Sequence, residues 1–175
     1  LAPDAEIALE CNPGDADAGK MKSWRAMGVN RLSIGAQSFD DRELGWLGRG
    51  HSAAQTLETV RLARGAGFGN LGLDLMYGVP GQTVEGWGRT LEAALALDAE
   101  HLSVYGLTLS RGKKLAGPPL PSENDQAAMA AVALDRLEAA GIVQYEISNF
   151  ARPGFESRHN LAYWTFEAYL GLGPS

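Results

Sequence analysis

Polar side chains follow apolar segments at four successive points of the sequence. They are Glu10, Gln37, Asp74 and Thr108, and Arg49 lies one loop beyond Gln37. One such residue alone is more often a helix cap or a solvated group. The carboxyl ends of parallel strands meet at one edge of a sheet, however, so four of them are expected to converge on one pocket. Carboxylates bind ammonium groups or ribose diols and arginine binds carboxylates, so the set predicts a site for a zwitterionic ligand with ribose hydroxyls.

A second candidate site is the segment His159-Asn-Leu-Ala-Tyr-Trp164. A neutral imidazole is a good axial ligand for haem iron, and the aromatic pair can cover a porphyrin face. The simpler interpretation is a loop-to-helix turn, in which His159 and Asn160 cap the helix while Tyr163 and Trp164 pack. The residues alone leave both interpretations open.

The remaining chemically capable residues give weaker signals. Cys11 is the one cysteine of the sequence, so it forms no internal disulfide or multi-cysteine metal site, and it is expected to be a semi-buried thiol. His51 lies just before a helix cap and is expected to be solvated, whereas His101 begins a strand and is expected to be structural. Helical spacing predicts packing roles for Trp24, Trp46 and Trp87, and Lys113 and Lys114 are expected to be a solvated pair.

The elements that must position these residues alternate between strands and helices. Apolar segments over 6–10, 30–37, 70–77 and 101–108 predict four strands. Between them, helices are predicted to begin at Asp15, at Asp40 or Asp41, at Ser52 and at Thr83. The alternation predicts a parallel sheet, either doubly wound or part of a (β/α) barrel. The inward helix positions are expected to include Met21, Met27, Leu57, Val60, Leu91, Leu134 and Leu137.

The pattern changes after Thr108. A basic loop is predicted over 111–121, followed by a helix from Ser122 to about Ala140, a strand over 143–148 and a loop over 152–158. The chain is therefore expected to divide into successive βα units over 1–110 and an extension over 111–175 that contains the His159 segment.

Composition limits the possible functions. The chain has 175 residues, a net charge of −6 and a sequence pI near 5.0, which argue against a general nucleic-acid surface. The sequence has no apolar run of the roughly 18 residues that span a bilayer, so a soluble, cytoplasmic protein is expected. The first residue is not Met and the last residues are apolar and glycine-rich, which predicts a piece of a longer protein with marginal solubility by itself.

Seven segments of the chain carry recognisable motifs. They are Glu10-Cys-Asn-Pro13, residues 31–39, Leu47-Gly-Arg49, residues 74–82, residues 101–105, residues 144–150 and residues 159–164. Taken together, they closely resemble the motifs of the HemW-type proteins, which are radical S-adenosylmethionine (SAM) relatives of the oxygen-independent coproporphyrinogen III oxidase. The resemblance covers essentially the whole chain and implies an α/β fold, a partial (β/α) barrel of the radical SAM, TIM-barrel-like type, with SAM and a [4Fe–4S] cluster as cofactors.

The resemblance also implies roles for individual residues. Glu10 resembles the contact to the methionyl amino end of SAM, and Gln37 and Arg49 resemble contacts to the ribose and the methionyl carboxylate. Asp74 resembles a ribose contact, and Thr108 lies where the family has an adenine-side backbone contact. The HNxxYW string is linked to haem binding in these proteins, which implies that His159 is a haem ligand.

Two family motifs are absent from the chain. The cluster-binding Cys-x3-Cys-x2-Cys and the glycine-rich SAM-binding segment have no counterpart here, and Cys11 is no substitute because three thiolates are needed. The cluster ligands are therefore expected outside this chain, and the chain alone is expected to be inactive.

Three functions remain open at this point. The resemblance favours a haem chaperone that binds haem and delivers it to a haem-dependent respiratory protein, because of the HNxxYW string. The alternative is an oxygen-independent coproporphyrinogen III oxidase, which decarboxylates its substrate by radical chemistry. A third interpretation, outside this family, is a barrel enzyme that binds a nucleotide-like ligand without radicals.

Overall fold

The computed structural model describes residues 2–109 and 117–172, so Lys113 and Lys114 lie outside the described residues. In chain order the elements are β1 (Ala8–Cys11), α1 (Ala18–Ala26), β2 (Arg31–Gln37), α2 (Asp41–Trp46), α3 (Ala53–Gly65), β3 (Leu71–Tyr77), α4 (Val84–Leu95), β4 (His101–Gly106), α5 (Glu123–Ala139), β5 (Val143–Gln144), β6 (Asn149–Ala151) and α6 (Arg158–Trp164).

The strands of the described residues form one six-stranded sheet in the order β1-β2-β3-β4-β6-β5. The first four are parallel and follow the chain order, as in a (β/α) barrel, whereas a doubly wound sheet reverses its order at a switch point. β6 pairs antiparallel with β4 and with β5. The sheet is thus the partial barrel wall that the sequence predicts, extended by an antiparallel hairpin.

Helix starts are determined by local sequence, because a side-chain oxygen at each N-cap accepts a backbone N–H of the first turn. The caps of α2, α3, α4 and α5 are the predicted ones, Asp40, Ser52, Thr83 and Ser122. The predicted start of α1 is wrong: its cap is Asp17, while the Asp15 carboxylate accepts from the Asn12 backbone N–H at 3.1 Å. Asp15 closes the preceding turn and is therefore not available to cap the helix.

The hydrophobic core lies between the helices and one face of the sheet. Trp87, Phe68 and Met21 are among its largest fully buried side chains. The Trp87 indole N–H donates to the Met129 carbonyl at 2.9 Å, which joins α4 to α5. Val60, Leu91 and Leu137 are buried as predicted.

Several predicted burial states are wrong. Met27, Leu57 and Leu134 are exposed, and Trp46 is 36% exposed. Met27 follows the last residue of α1, where the helical periodicity that predicts its direction no longer holds. His51 is buried instead of solvated, because its Nε2 lies 3.2 Å from the Ala36 carbonyl oxygen at the end of β2.

The predicted strand over 143–148 is also wrong. β5 ends at Gln144, and β6 begins at Asn149 after a turn. The Gln144 side chain donates to the Ile147 carbonyl at 3.0 Å, and the Tyr145 N–H donates to the Asn149 carbonyl at 3.1 Å. These hydrogen bonds reverse the chain where an alternating pattern predicts one continuous strand.

No helix in the described part of the chain is long and apolar enough to cross a membrane.

Candidate functional site

A cavity of about 1020 Å³ lies against the face of the sheet that the core leaves free. Successive side chains of a strand point to opposite faces, so alternate residues of β2 and β4 reach the cavity while their neighbours enter the core. β2 contributes Arg31, Ser33 and Gln37, and β4 contributes His101, Ser103 and Tyr105. The wall is rich in polar groups, in contrast with the apolar core on the other side of the sheet.

Three residues of the predicted strand-end set line this cavity: Glu10, Gln37 and Asp74. Gln37 has a φ of 64°, in the left-handed region, and the register between β2 and β3 shifts between Ile34 and Gln37. A Cβ at Gly35 would lie 3.0 Å from the Gln37 Nε2. The glycine therefore leaves room for the amide, and the irregular strand end directs it into the cavity wall.

Arg49 and Thr108 are not among the residues that line the cavity. Arg49 lies in the turn after α2, where its N–H donates to the Leu44 carbonyl at 2.9 Å. Thr108 is exposed and lies beyond β4, which ends at Gly106, two residues before the predicted end. The ligand contacts predicted for these two residues stay predictions.

Asp74 is a half-buried carboxyl in the middle of the cavity wall. The Ser33 hydroxyl donates to its Oδ1 at 3.1 Å, and Ser103 is its register partner on β4. Burial raises the pKa of the Asp74 carboxyl above its ordinary value, against the opposing effect of hydrogen bonds from Ser103 and Ser33, and the negative charge of Glu10 adds to the rise. A ligand that donates hydrogen bonds or carries positive charge would lower the pKa of Asp74 and so favour its ionised form.

The predicted His159 site lines the opposite end of the same cavity. His159 and Asn160 contribute to the wall together with Glu6 and Arg31. Glu6 precedes β1 and Arg31 is the first residue of β2, so this end lies at the amino ends of the parallel strands. Gln37, by contrast, is the last residue of its strand. The His159 segment and the predicted strand-end residue Gln37 therefore lie at opposite ends of one polar cavity, with Asp74 between them.

The amino end of the cavity holds residues that the sequence interpretation missed. Arg31 is 4% exposed, lies 3.6 Å from Glu6 Oε2 and donates to the Phe155 carbonyl at 2.9 Å. Two buried atoms of the cavity wall, His101 Nδ1 and Asn149 Oδ1, have no hydrogen-bond partner among the described residues. In each of their strands a polar residue is followed by an apolar one, His101 by Leu102 and Asn149 by Phe150. This alternation in the sequence could have indicated that the side chains of His101 and Asn149 face the cavity.

Burial, followed by the positive charge of Arg31, lowers the pKa of His101 to about 3, so the imidazole is neutral near pH 7. Its Nε2 lies 2.8 Å from the Tyr145 hydroxyl. The prediction that His101 is structural is thus incomplete, because its ring also forms part of the cavity wall.

Cys11 is a half-buried thiol, as predicted, and lies outside the cavity lining. Burial, with smaller contributions from the charges of Asp15 and Asp74, raises its pKa to about 12. A protonated thiol is a poor metal ligand. The described residues also contain no group of three His, Cys, Asp or Glu side chains that could hold a metal ion. The donors present therefore do not fit an iron–sulfur cluster.

Comparison with known proteins relates this geometry to a family. The model of the Radical SAM superfamily matches residues 1–94. The "Heme chaperone HemW" of Bacillus subtilis is 43% identical over 97% of the chain and 46% of its own length. The mitochondrial "Radical S-adenosyl methionine domain-containing protein 1" of Mus musculus is 45% identical over 99% of the chain and 41% of its own length. The chain thus spans less than half the length of these relatives.

Among solved structures, the coproporphyrinogen III oxidase HemN of Escherichia coli, described as a radical SAM enzyme, is similar to the chain. The two superpose with a TM-score of 0.78 at 28% sequence identity, over 93% of this chain and 38% of the oxidase. A second structure, an archaeal Elp3 of Methanocaldococcus infernus, has a TM-score of 0.66 at 19% identity over 74% of this chain and 32% of that one, which shows a shared fold.

Proposed function

The chain belongs to the radical SAM superfamily, and from that premise we propose that it is part of a haem chaperone that binds haem and delivers it to a haem-dependent protein. The observation that carries the proposal is the His159 segment, which is exposed and contributes His159 and Asn160 to the wall of the cavity. The same cavity is lined by Glu10, Gln37 and Asp74, three of the five residues predicted to bind SAM. The similarity over 97% of the chain to a protein named as a haem chaperone supports the same function. Because the chain belongs to the superfamily, the third interpretation, a barrel enzyme outside this family, is excluded.

The superfamily implies SAM and a [4Fe–4S] cluster, which together supply one-electron chemistry when bound. Two carboxylates of the cavity wall fit SAM, because Glu10 can accept from an ammonium group and Asp74 from ribose hydroxyls. Gln37, Arg49 and Thr108 complete the proposed set. The cavity is also large enough, since pockets for ligands of this size occupy roughly 300–1,000 Å³. Ligands for the cluster would have to come from outside this chain.

The proposed haem ligand is His159. Its imidazole packs against the Tyr163 ring in a T-shaped arrangement, with ring centroids 4.8 Å apart and an interplanar angle of 87°. Tyr163 and Trp164 are 48% and 51% exposed, and the apolar side chains of residues 166–172 that follow are more exposed still. The simpler interpretation, in which this aromatic pair packs into the protein, does not describe these residues. An exposed imidazole beside an exposed apolar surface is an arrangement that suits a porphyrin, which needs an iron ligand and an apolar contact.

Haem titration tests the proposal. Haem is added to the full-length protein, to His159→Ala and to His51→Gln as a control that removes a histidine elsewhere and keeps a donor for the Ala36 carbonyl. We expect the dissociation constant for haem to rise by about tenfold or more in His159→Ala alone, since an iron–imidazole bond is lost. An unchanged affinity and Soret spectrum in His159→Ala would remove His159 from the ligand role.

The similarity to the solved coproporphyrinogen III oxidase supports a second candidate, radical decarboxylation of coproporphyrinogen III. The residues proposed for SAM support both functions equally, so they do not discriminate. Anaerobic incubation of the full-length protein with coproporphyrinogen III, SAM and a reductant does. Robust formation of the decarboxylated product would favour the oxidase over the chaperone.

A further inference from the structure

The helix that carries His159 has unusually few contacts with the rest of the protein. Of the seven residues of α6, all within the described part of the chain, none is buried. A helix of this length is not stable by itself in water, so contacts at its ends must hold it. Arg158 supplies one set of these contacts. Its backbone N–H donates to Glu6 Oε1 at 3.1 Å, and its guanidinium donates to the Asp4 carbonyl at 2.6 Å.

The hydroxyl of Tyr145 supplies the other set of contacts. Its oxygen lies 3.3 Å from the Ser157 backbone nitrogen, 3.3 Å from the Asn160 Nδ2 and 2.8 Å from the His101 Nε2. The first two groups are donors, so they occupy both lone pairs of the oxygen. The hydroxyl must then donate its own proton to His101, whose neutral ring accepts at Nε2 and carries its hydrogen on Nδ1. His101 therefore determines the direction in which the Tyr145 hydroxyl points.

Comparison with two other helices explains what Tyr145 does at α6. In α3 and α5 the N-cap serine accepts from the third residue of the helix, whose side chain accepts from the serine N–H in return. In α6 the Ser157 side chain accepts from the Asn160 N–H in the same way. The Asn160 side chain, however, donates to Tyr145, and Tyr145 accepts from the Ser157 N–H. A residue of the sheet hairpin thus completes the cap of the helix.

We infer that Tyr145, oriented by His101, is the positioning residue that holds α6 so that His159 can bind haem. The inference rests on the proposed function, because it assigns a role relative to the His159 ligand. Tyr145 lies between β5 and β6, and its backbone N–H donates to the Asn149 carbonyl. His101 lies on β4. The sheet and its hairpin therefore supply one of the two sets of contacts that position the haem-binding histidine, and the Arg158 contacts supply the other.

The first test compares haem binding by the wild-type full-length protein, Tyr145→Phe and His159→Ala. Tyr145→Phe removes only the hydroxyl, and we expect the haem dissociation constant to rise by about tenfold with an altered Soret band, from the loss of three modest hydrogen bonds. Tyr77→Phe is the matched control: it makes the same chemical change at a residue that packs on Trp87, away from α6.

The second measurement uses the protein without haem. If Tyr145 holds α6, trypsin should cleave after Arg158 about tenfold faster in Tyr145→Phe than in wild type, because the helix opens more often. The melting temperature should fall only modestly, because the buried His101 Nε2 loses its partner but no apolar core contact is lost. A residue with a merely structural role would lower the melting temperature but leave the haem affinity of the folded protein and the rate of cleavage after Arg158 unchanged.

Variants of His101 test the second part of the inference. His101→Gln keeps an oxygen that can accept from the Tyr145 hydroxyl and should retain haem affinity, whereas His101→Leu should reproduce Tyr145→Phe. Equal haem affinity in both variants would remove His101 from the inference.

The outcomes separate this inference from the proposed function. If His159→Ala loses haem while Tyr145→Phe binds haem within about twofold of wild type, the positioning role is wrong and the haem function stands. If His159→Ala binds haem like wild type, the ligand assignment and the positioning role are both wrong.

Discussion

Substitution of Asp74 should weaken SAM binding by an amount that the cavity geometry allows us to work out. A carboxylate that accepts hydrogen bonds from ribose hydroxyls contributes about 1.5–3 kcal/mol for each charge-assisted bond. Asp74→Ala should therefore raise the SAM dissociation constant by about 10- to 100-fold. Asp74→Asn keeps one acceptor oxygen and the contact with Ser33, so its effect should be about tenfold.

The same residue predicts a pH dependence of SAM binding. Because burial raises the pKa of Asp74 in the free protein, SAM affinity should fall as the pH falls through that raised pKa, at a higher pH than for an ordinary aspartate. The effect on folding has the opposite sign. A carboxyl whose pKa is raised on folding contributes stability that is present below its unfolded pKa and is lost as the pH rises through the folded pKa.

Isothermal titration of SAM into the full-length protein between pH 4 and 8 measures the affinity and its pH dependence. Asp74→Asn should flatten the pH profile. Asp98→Asn is the control, since its carboxylate is exposed and pairs with Arg152 outside the cavity. An Asp74→Ala protein that binds SAM within about twofold of wild type, or a wild-type affinity that does not change with pH, would refute the proposed ribose contact.

Two further predictions concern groups outside the cavity. Glu43 is buried, and its Oε2 accepts from Ser38 at 2.5 Å and from Gln82 at 3.0 Å. Glu43→Ala should therefore reduce the free energy of unfolding, measured by urea titration at pH 7, by about 3 kcal/mol. Glu43→Gln keeps an acceptor and should reduce it far less. The thiol of Cys11, with a pKa raised to about 12, should react with iodoacetamide at pH 8 much more slowly than a cysteine in unfolded protein, and equal rates with and without urea would contradict this.

The sequence alone determined the local features of this protein. Helix starts such as Ser52 and Thr83 were predictable because a cap is a contact between residues three apart. The alternation of strands and helices predicted a parallel sheet, and the strand ends predicted that Glu10, Gln37, Asp74 and Thr108 would converge on one pocket. The first three line the cavity, whereas Thr108 lies beyond the end of β4 and does not. The predictions that hold do so because each depends on backbone geometry within one element or on the common direction of parallel strands.

Only the tertiary structure decided which residues come into contact when they are far apart in the sequence. The contact between His101 and Tyr145 joins residues 44 positions apart. The buried His51 contacts a carbonyl 15 positions away. No local sequence pattern could therefore have indicated either contact. Arg49 lies outside the cavity for a similar reason, because the path of a loop is determined by what it packs against. The position of the His159 helix follows the same principle: its sequence forms the helix, but hydrogen bonds from the sheet hold it in place.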